Sequence, residues 1–312
     1  MSNHQIAFVF PGQGSQSVGM LGTYSEDVIV RQTFAQASDT LGYDMWSLVS
    51  EGTEDKLNET HRTQPALLTA SVALWRLWQS QTDVLPQYVA GHSLGEYSAL
   101  VAAEAIDFET AIKLVEKRGE FMQKAVPPGI GKMAAIIGLS DELIQQACNE
   151  AMDSEVVSPV NYNSPGQVVI AGNVLAVERA MTLCKEKGAK RALPLSVSVP
   201  SHCSLMQPAA ESLQAVLDTL TISQPKLALV NNVDVSEETH EDNIKQALTR
   251  QLYSPVRWTE TIQYLAKQGI TDLVECGPGN VLSGLNRRID KSLKSHKLTK
   301  KDSYNQSVDN FS

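Results

Sequence analysis

The apolar residues of this chain fall into two rhythms. Short β-like runs, Ile6 to Phe10, Tyr88-Val89-Ala90, Leu227 to Val230 and, broken only by Glu275, Leu273 to Cys276, have the length of buried strands. Between them, apolar positions recur three and four residues apart. Phe108, Ala111, Ile112, Val115 and Met122 form one such set, and Leu205, Met206, Ala209, Leu213, Val216, Leu217 and Leu220 form another, each with the spacing of one helix face. Strands alternating with helices predict an α/β fold with helices on both faces of a sheet.

The middle of the chain follows a different order. Lys132 to Ile137 reads as a strand, Ser140 is placed to cap a helix running to about Met152, and Val156 to Val160 reads as a second strand. A turn at Asn163-Ser164-Pro165-Gly166 leads into Gln167 to Ala171. Asn173 then opens a helix that Gly188 closes, and Arg191 to Val199 reads as a last strand. The order β-α-β-β-α-β is that of a ferredoxin-like unit. The expected organisation is a large domain of residues 1–127 and 200–312, interrupted by a ferredoxin-like subdomain of residues 128–199. The Lys- and Ser-rich end from about Lys291 is expected to be a mobile tail.

Composition excludes several classes. With 42% hydrophobic and 20% charged residues, the 312-residue chain has the make-up of a globular protein. No apolar stretch approaches the roughly 18 residues that span a bilayer. The first apolar run follows Met1 to Gln5, which hold no Lys or Arg, and it stops at Pro11; this is unlike a secretory signal, so the expected location is cytoplasmic. A net charge of −9 argues against a nucleic-acid partner. Cys148, Cys184, Cys203 and Cys276 form no C-x-x-C pair, so they are expected to be buried thiols, with no metal site and no disulfide framework.

Chemistry enters at Gly91-His92-Ser93-Leu94-Gly95, a G-x-S-x-G between the run ending at Ala90 and a helical segment. This is the nucleophile elbow of hydrolase-like α/β sheets: a strained turn lifts the Ser hydroxyl above the sheet, and flanking side chains would collide. Ser93 is therefore the candidate nucleophile. Of six histidines, His92 adjoins Ser93 in a turn too tight for the two to meet and is read as structural. His202 is the candidate base; it stands before an apolar helix pattern, and the positive end of that helix is expected to keep its ring neutral. Asp234 and Glu275 both follow strands, and nothing in the spacing selects either to orient His202.

Two further features ask for a ligand. Arg118 lies on the apolar face between Val115 and Met122, where a guanidinium needs an anionic partner, and Gly119 beside it is expected to leave room for one; a bidentate clamp for a substrate carboxylate fits. The loop Pro11-Gly12-Gln13-Gly14 after the first strand has Ser17 where a dinucleotide fingerprint has its third glycine, and it lacks the G-K-[ST] of a P-loop. It does stand where hydrolase-like sheets bring a second oxyanion donor, which nominates the N–H groups of Gln13 and Leu94.

The stretches "FVFPGQGSQ" from Phe8, "TQPALLTASVAL" from Thr63, "AGHSLGEYSAL" from Ala90, "VEKRGEFMQ" from Val115, "NSPGQVVIAG" from Asn163, "VSVPSHCSLM" from Val197, "NNVD" from Asn231, "RQLYSPVRW" from Arg250 and "ECGPG" from Glu275 resemble the malonyl-CoA:acyl carrier protein transacylases of fatty acid synthesis, over essentially the whole chain up to the Lys-rich end. The resemblance implies ping-pong transfer from malonyl-CoA to holo-acyl carrier protein, with no cofactor. It places Ser93 as nucleophile, His202 as base, Arg118 as the malonyl carboxylate ligand, and Gln13 and Leu94 as oxyanion donors. It also implies that the open slot is filled by a main-chain carbonyl near Gln251. A serine esterase or thioesterase using the same Ser-His pair is the alternative. The cluster Lys185, Lys187, Lys190 and Arg191 is a candidate docking patch for an acidic carrier protein.

Overall fold

The computed structural model describes residues 5–197 and 199–311; Met1 to His4, Ser198 and Ser312 lie outside the described residues, and with them part of the expected last strand of the insert. Strands are β1 (Ile6–Phe10), β2 (Tyr88–Gly91), β3 (Gly131–Ile137), β4 (Val157–Ser164), β5 (Gln167–Asn173), β6 (Arg191–Pro194), β7 (Ala228–Val230), β8 (Asp272–Glu275) and β9 (Lys294–Lys297). They form two sheets, β7-β2-β1-β8-β9 and β4-β5-β3-β6.

The first sheet is parallel throughout. Its centre, β1, is buried at every position because helices cover both faces, which is why its sequence is a run and not an alternation. Phe8 and Phe10 enter one core cluster and Ala7 and Val9 another. Phe8 meets Trp75 and Trp78 edge-on at 5.2 Å. Because β1 and β2 are parallel neighbours, with Phe10 opposite Gly91, the Pro11–Gly14 loop and the elbow leave the sheet side by side. That adjacency builds the site.

The second sheet is antiparallel, and its strands and helices follow the order β3, Asp141–Ala151, β4, β5, Val174–Glu186, β6. Ser140 caps the first of these helices through Leu143 N–H. Ala134 and Ile136 face the two helices, while Met133 and Val169 pack with Cys203 in a separate cluster on the other face. The last strand is shorter than expected. It ends at Pro194, and the chain from Leu195 leaves the ladder after one more hydrogen bond, from Leu195 N–H to Met133 O.

The mobile tail is not found. Residues from Lys291 onward form β9, paired to β8, and the helix Lys301–Phe311. Leu298 and Tyr304 are buried, Tyr24 Oη donates to Leu298 O, and Tyr304 and Phe311 pack edge-on against Trp78. Tyr304, Val308 and Phe311 are spaced as one helix face. Their Lys, Ser and Asn neighbours mask that face in the composition of the segment.

Candidate active site

The elbow follows β2 as the sequence implies. Ser93 takes φ +51°, and a Cβ on Gly91 would fall 1.9 Å from Gly95 C, while one on Gly95 would fall 2.0 Å from Phe10 O. Both glycines are thus required by close backbone approach. Gly12 is required for the same reason, since a Cβ there would lie 2.4 Å from His92 O.

Ser93 Oγ lies 2.8 Å from His202 Nε2, and His202 Nδ1 lies 2.6 Å from the main-chain oxygen of Gln251. A carbonyl only accepts, so Nδ1 carries the ring proton and Nε2 is bare, able to receive the Ser93 proton. Asp234 is engaged instead with Arg250, and Glu275 accepts from Leu282 N–H and Ser283 at the start of the helix Val281–Ile289. Neither acid touches the imidazole. His202 does not open a helix: it sits in a turn at φ +66°, and the short helical turn Ser204–Met206 begins two residues later. Its ring is neutral for other reasons. Burial comes first and the Arg118 charge second, together pushing its pKa down to about 3.

Arg118, on the helix Phe108–Ala125 that Asp107 caps, is 0% exposed. Nη1 donates to Gln64 Oε1 at 2.8 Å, and Nη2 donates to Gln251 Oε1 at 2.9 Å and to Ser93 Oγ at 3.3 Å; none of its hydrogen bonds goes to a carboxylate. Nε has no partner among the described residues. Tyr97 lies beneath the guanidinium at 5.3 Å. Gly119 serves a different purpose from the one expected. A Cβ there would lie 2.5 Å from His61 Cα, so the glycine lets the helix pack on Thr60–Gln81 and makes no ligand space.

Among the described residues, the Gln13 and Leu94 N–H groups donate to no protein acceptor. Gln13, Ser93 and His202 line one cavity of about 230 Å³, walled opposite by Met133, Asn161 and Val169 of the second sheet. His92 joins the two sides through Nε2 to Asn163 Oδ1 at 2.8 Å. All four cysteines are free and buried; burial pushes the Cys203 thiol, next to His202, up to about 11, so it stays protonated. No group of three or more His, Cys, Asp or Glu able to hold a metal occurs among the described residues.

Residues 7–303 match the acyl transferase domain family. The chain is 60% identical over 295 residues to the malonyl CoA-acyl carrier protein transacylase of Escherichia coli K12, covering 94% of this chain and 96% of that one. The counterpart from Haemophilus influenzae is 58% identical over 303 residues, 96% of this chain and 97% of the relative. The crystal structure of an acyl carrier protein S-malonyltransferase from Vibrio cholerae superposes with a TM-score of 0.95 at 59% identity, over 97% of this chain and 99% of that one. A malonyl-transacylase solved in complex with its type II PKS acyl-carrier protein superposes at 0.97, with 55% identity, over 98% and 99%. The chain belongs to the malonyl CoA-acyl carrier protein transacylases.

Three residues of this acyltransferase's site escaped sequence reasoning. Asn232 accepts from Ser93 N–H at 2.7 Å and donates to Gly91 O at 2.6 Å, clamping the elbow from the loop after β7. Gln64 and Glu96 are buried partners of the Arg118 network. Gln64 had a findable signal, a polar side chain in an apolar helix, the same that marks Arg118. Glu96 carries the same signal, an acid among the apolar residues of Gly95–Ala102, and Asn232 carries none.

Proposed function

We propose that this acyltransferase moves a malonyl group from malonyl-CoA to the phosphopantetheine thiol of holo-acyl carrier protein by way of a malonyl ester on Ser93. The carrying observation is Arg118, a buried cation 3.3 Å from the nucleophile whose hydrogen-bond partners are two neutral amides and that hydroxyl. An acyl group on Ser93 Oγ begins beside this guanidinium, and a malonyl chain is short enough to bring its carboxylate there. A hydrolase would share the Ser-His pair, but its reaction calls for no guanidinium 3.3 Å from the nucleophile.

In the reading proposed, Ser93 Oγ–H passes its proton to His202 Nε2 as oxygen attacks the thioester, and the new oxyanion is held by the Gln13 and Leu94 N–H groups. The imidazolium, steadied by the Gln251 carbonyl, returns the proton to the departing CoA sulfur. The carrier thiol then repeats the sequence on the ester, giving up its proton to His202 and releasing Ser93. We also place the enzyme in the cytoplasm and divide it into residues 1–127 with 200–312 and a subdomain 128–199, a division that the separate core of the second sheet supports.

For the carrier, Lys185, Lys190 and Arg191 are exposed and adjoin β6, which leads to Leu195 and Val197 at the cavity, while Lys187 is paired with Glu150. Mass spectrometry after incubation with malonyl-CoA tests the main reading: a malonyl adduct confined to Ser93 is expected, and its absence from competent enzyme overturns the mechanism.

A further inference from the structure

The mechanism makes no use of Glu96. This acid, in the helix Gly95–Ala102 directly after the nucleophile, is 2% exposed. Its Oε2 accepts from Asn232 N–H at 3.1 Å and from Gln251 Nε2 at 2.8 Å, and the other end of the same amide, Gln251 Oε1, accepts from Arg118 at 2.9 Å. One carboxamide therefore separates a buried acid from a buried cation. Its orientation is fixed, because a flipped amide would set donor against donor and acceptor against acceptor.

The groups facing Glu96 come from every side. Arg118 faces it from the helix Phe108–Ala125, and Asp234, itself paired with Arg250, from the loop after β7. Tyr97 belongs to its own helix and is neutral, with its pKa raised to about 12, and His202 is neutral as described. The resting cluster thus holds one buried cation and one buried acid. A carboxylate arriving at Arg118 makes it one cation and two anions in a site withdrawn from water, where uncompensated charge is costly.

We propose that Glu96 is the internal counter-charge of Arg118, and that loading Ser93 with a carboxylate-bearing acyl group is coupled to uptake of one proton by Glu96 through the Gln251 amide. Ser93 Oγ–H and the malonyl thioester exchange to malonyl ester and CoA thiol, and a solvent proton neutralises the Glu96 carboxylate. An acetyl group, which brings no charge, takes up none. Burial raises the Glu96 pKa up to about 7, against hydrogen bonds from Gln251 and Asn232 and the Arg118 charge. A bound carboxylate cancels that last pull and adds a like charge, so the loaded enzyme holds the proton more tightly.

The inference rests on Arg118 as the carboxylate ligand, and the test separates the two. Loading equilibria with malonyl-CoA and acetyl-CoA are measured from pH 6 to 9, and their ratio cancels everything common to both acyl groups. The ratio is expected to be flat below about pH 7 and to fall toward about tenfold per pH unit above it, and to lose that slope in Glu96→Gln. Calorimetry of the wild type at pH 8, in buffers of different ionisation enthalpy, is expected to count close to one proton taken up with malonyl-CoA and none with acetyl-CoA. This needs no variant to fold. A flat wild-type ratio, an unchanged slope in Glu96→Gln, or equal proton counts overturn the coupling. If Arg118→Ala still depresses malonyl loading selectively, the clamp survives that failure; if it depresses both acyl groups equally, the clamp itself has failed.

Discussion

Replacing Arg118 by Ala removes the whole guanidinium while leaving Ser93, His202 and the Gln251 carbonyl in place. A malonyl carboxylate held by two charge-assisted hydrogen bonds of about 1.5–3 kcal/mol each loses about 3–6 kcal/mol. At about 1.4 kcal/mol per factor of ten, loading from malonyl-CoA falls by roughly two to four orders of magnitude. An acetyl group loses only the contact from Nη2 to Ser93 Oγ, which at 3.3 Å is long. That contact is worth about 0.5–1 kcal/mol, so acetyl loading falls no more than about fivefold. The variant also leaves the Gln64 and Gln251 amide oxygens without their donor, so thermal melting must accompany the assay. The assay is single-turnover acylation of Ser93 followed by intact-mass spectrometry with each thioester. Equal losses for the two acyl groups in a folded variant refute the carboxylate clamp.

Asn232→Ala strips Ser93 N–H and Gly91 O of their buried partner. With unpaired buried groups costing about 1–3 kcal/mol each, a melting temperature lower by several degrees and slower loading are expected together; an unchanged melt contradicts the clamp on the elbow. Tyr304→Ala removes a buried ring packed on Trp78 and should cost about 3–5 kcal/mol in chemical denaturation, whereas a detached tail would register almost nothing. Because the His202 pKa is depressed to about 3, the base is lost only as pH falls through that value, so loading keeps its rate from pH 7 down to pH 5; an acid limb centred near 6.5 contradicts the buried, Arg118-facing imidazole. Charge reversal at Lys190 and Arg191 should raise KM for the carrier protein several-fold and weaken its salt dependence, and unchanged kinetics discard the patch.

What the sequence made legible was whatever local rules write into it. The elbow needs glycines at fixed offsets, β1 shows its double-sided burial as an unbroken run, and Arg118 betrays itself as a charge on an apolar helix face. The tail was misjudged because composition averages over a window, while burial is decided by a few residues at helix spacing. Gly119 was misread because a missing side chain marks close approach without saying of what. His202 was found, but the cause of its neutrality was not: depth within the fold and the nearness of a distant arginine are tertiary quantities. Asn232 and Glu96 act through partners more than 130 positions away, a separation that no local spacing encodes.

The acceptor that steers His202 belongs to the backbone. Whichever amino acid stands at 251, a carbonyl remains at that place so long as the chain follows the same path, so no single-codon change can erase it, as one could erase the acid of a Ser-His-Asp triad. Replacements at this position will thus interrogate only the amide that bridges Glu96 and Arg118. The orienting oxygen is inherited with the fold and is lost only by bending it.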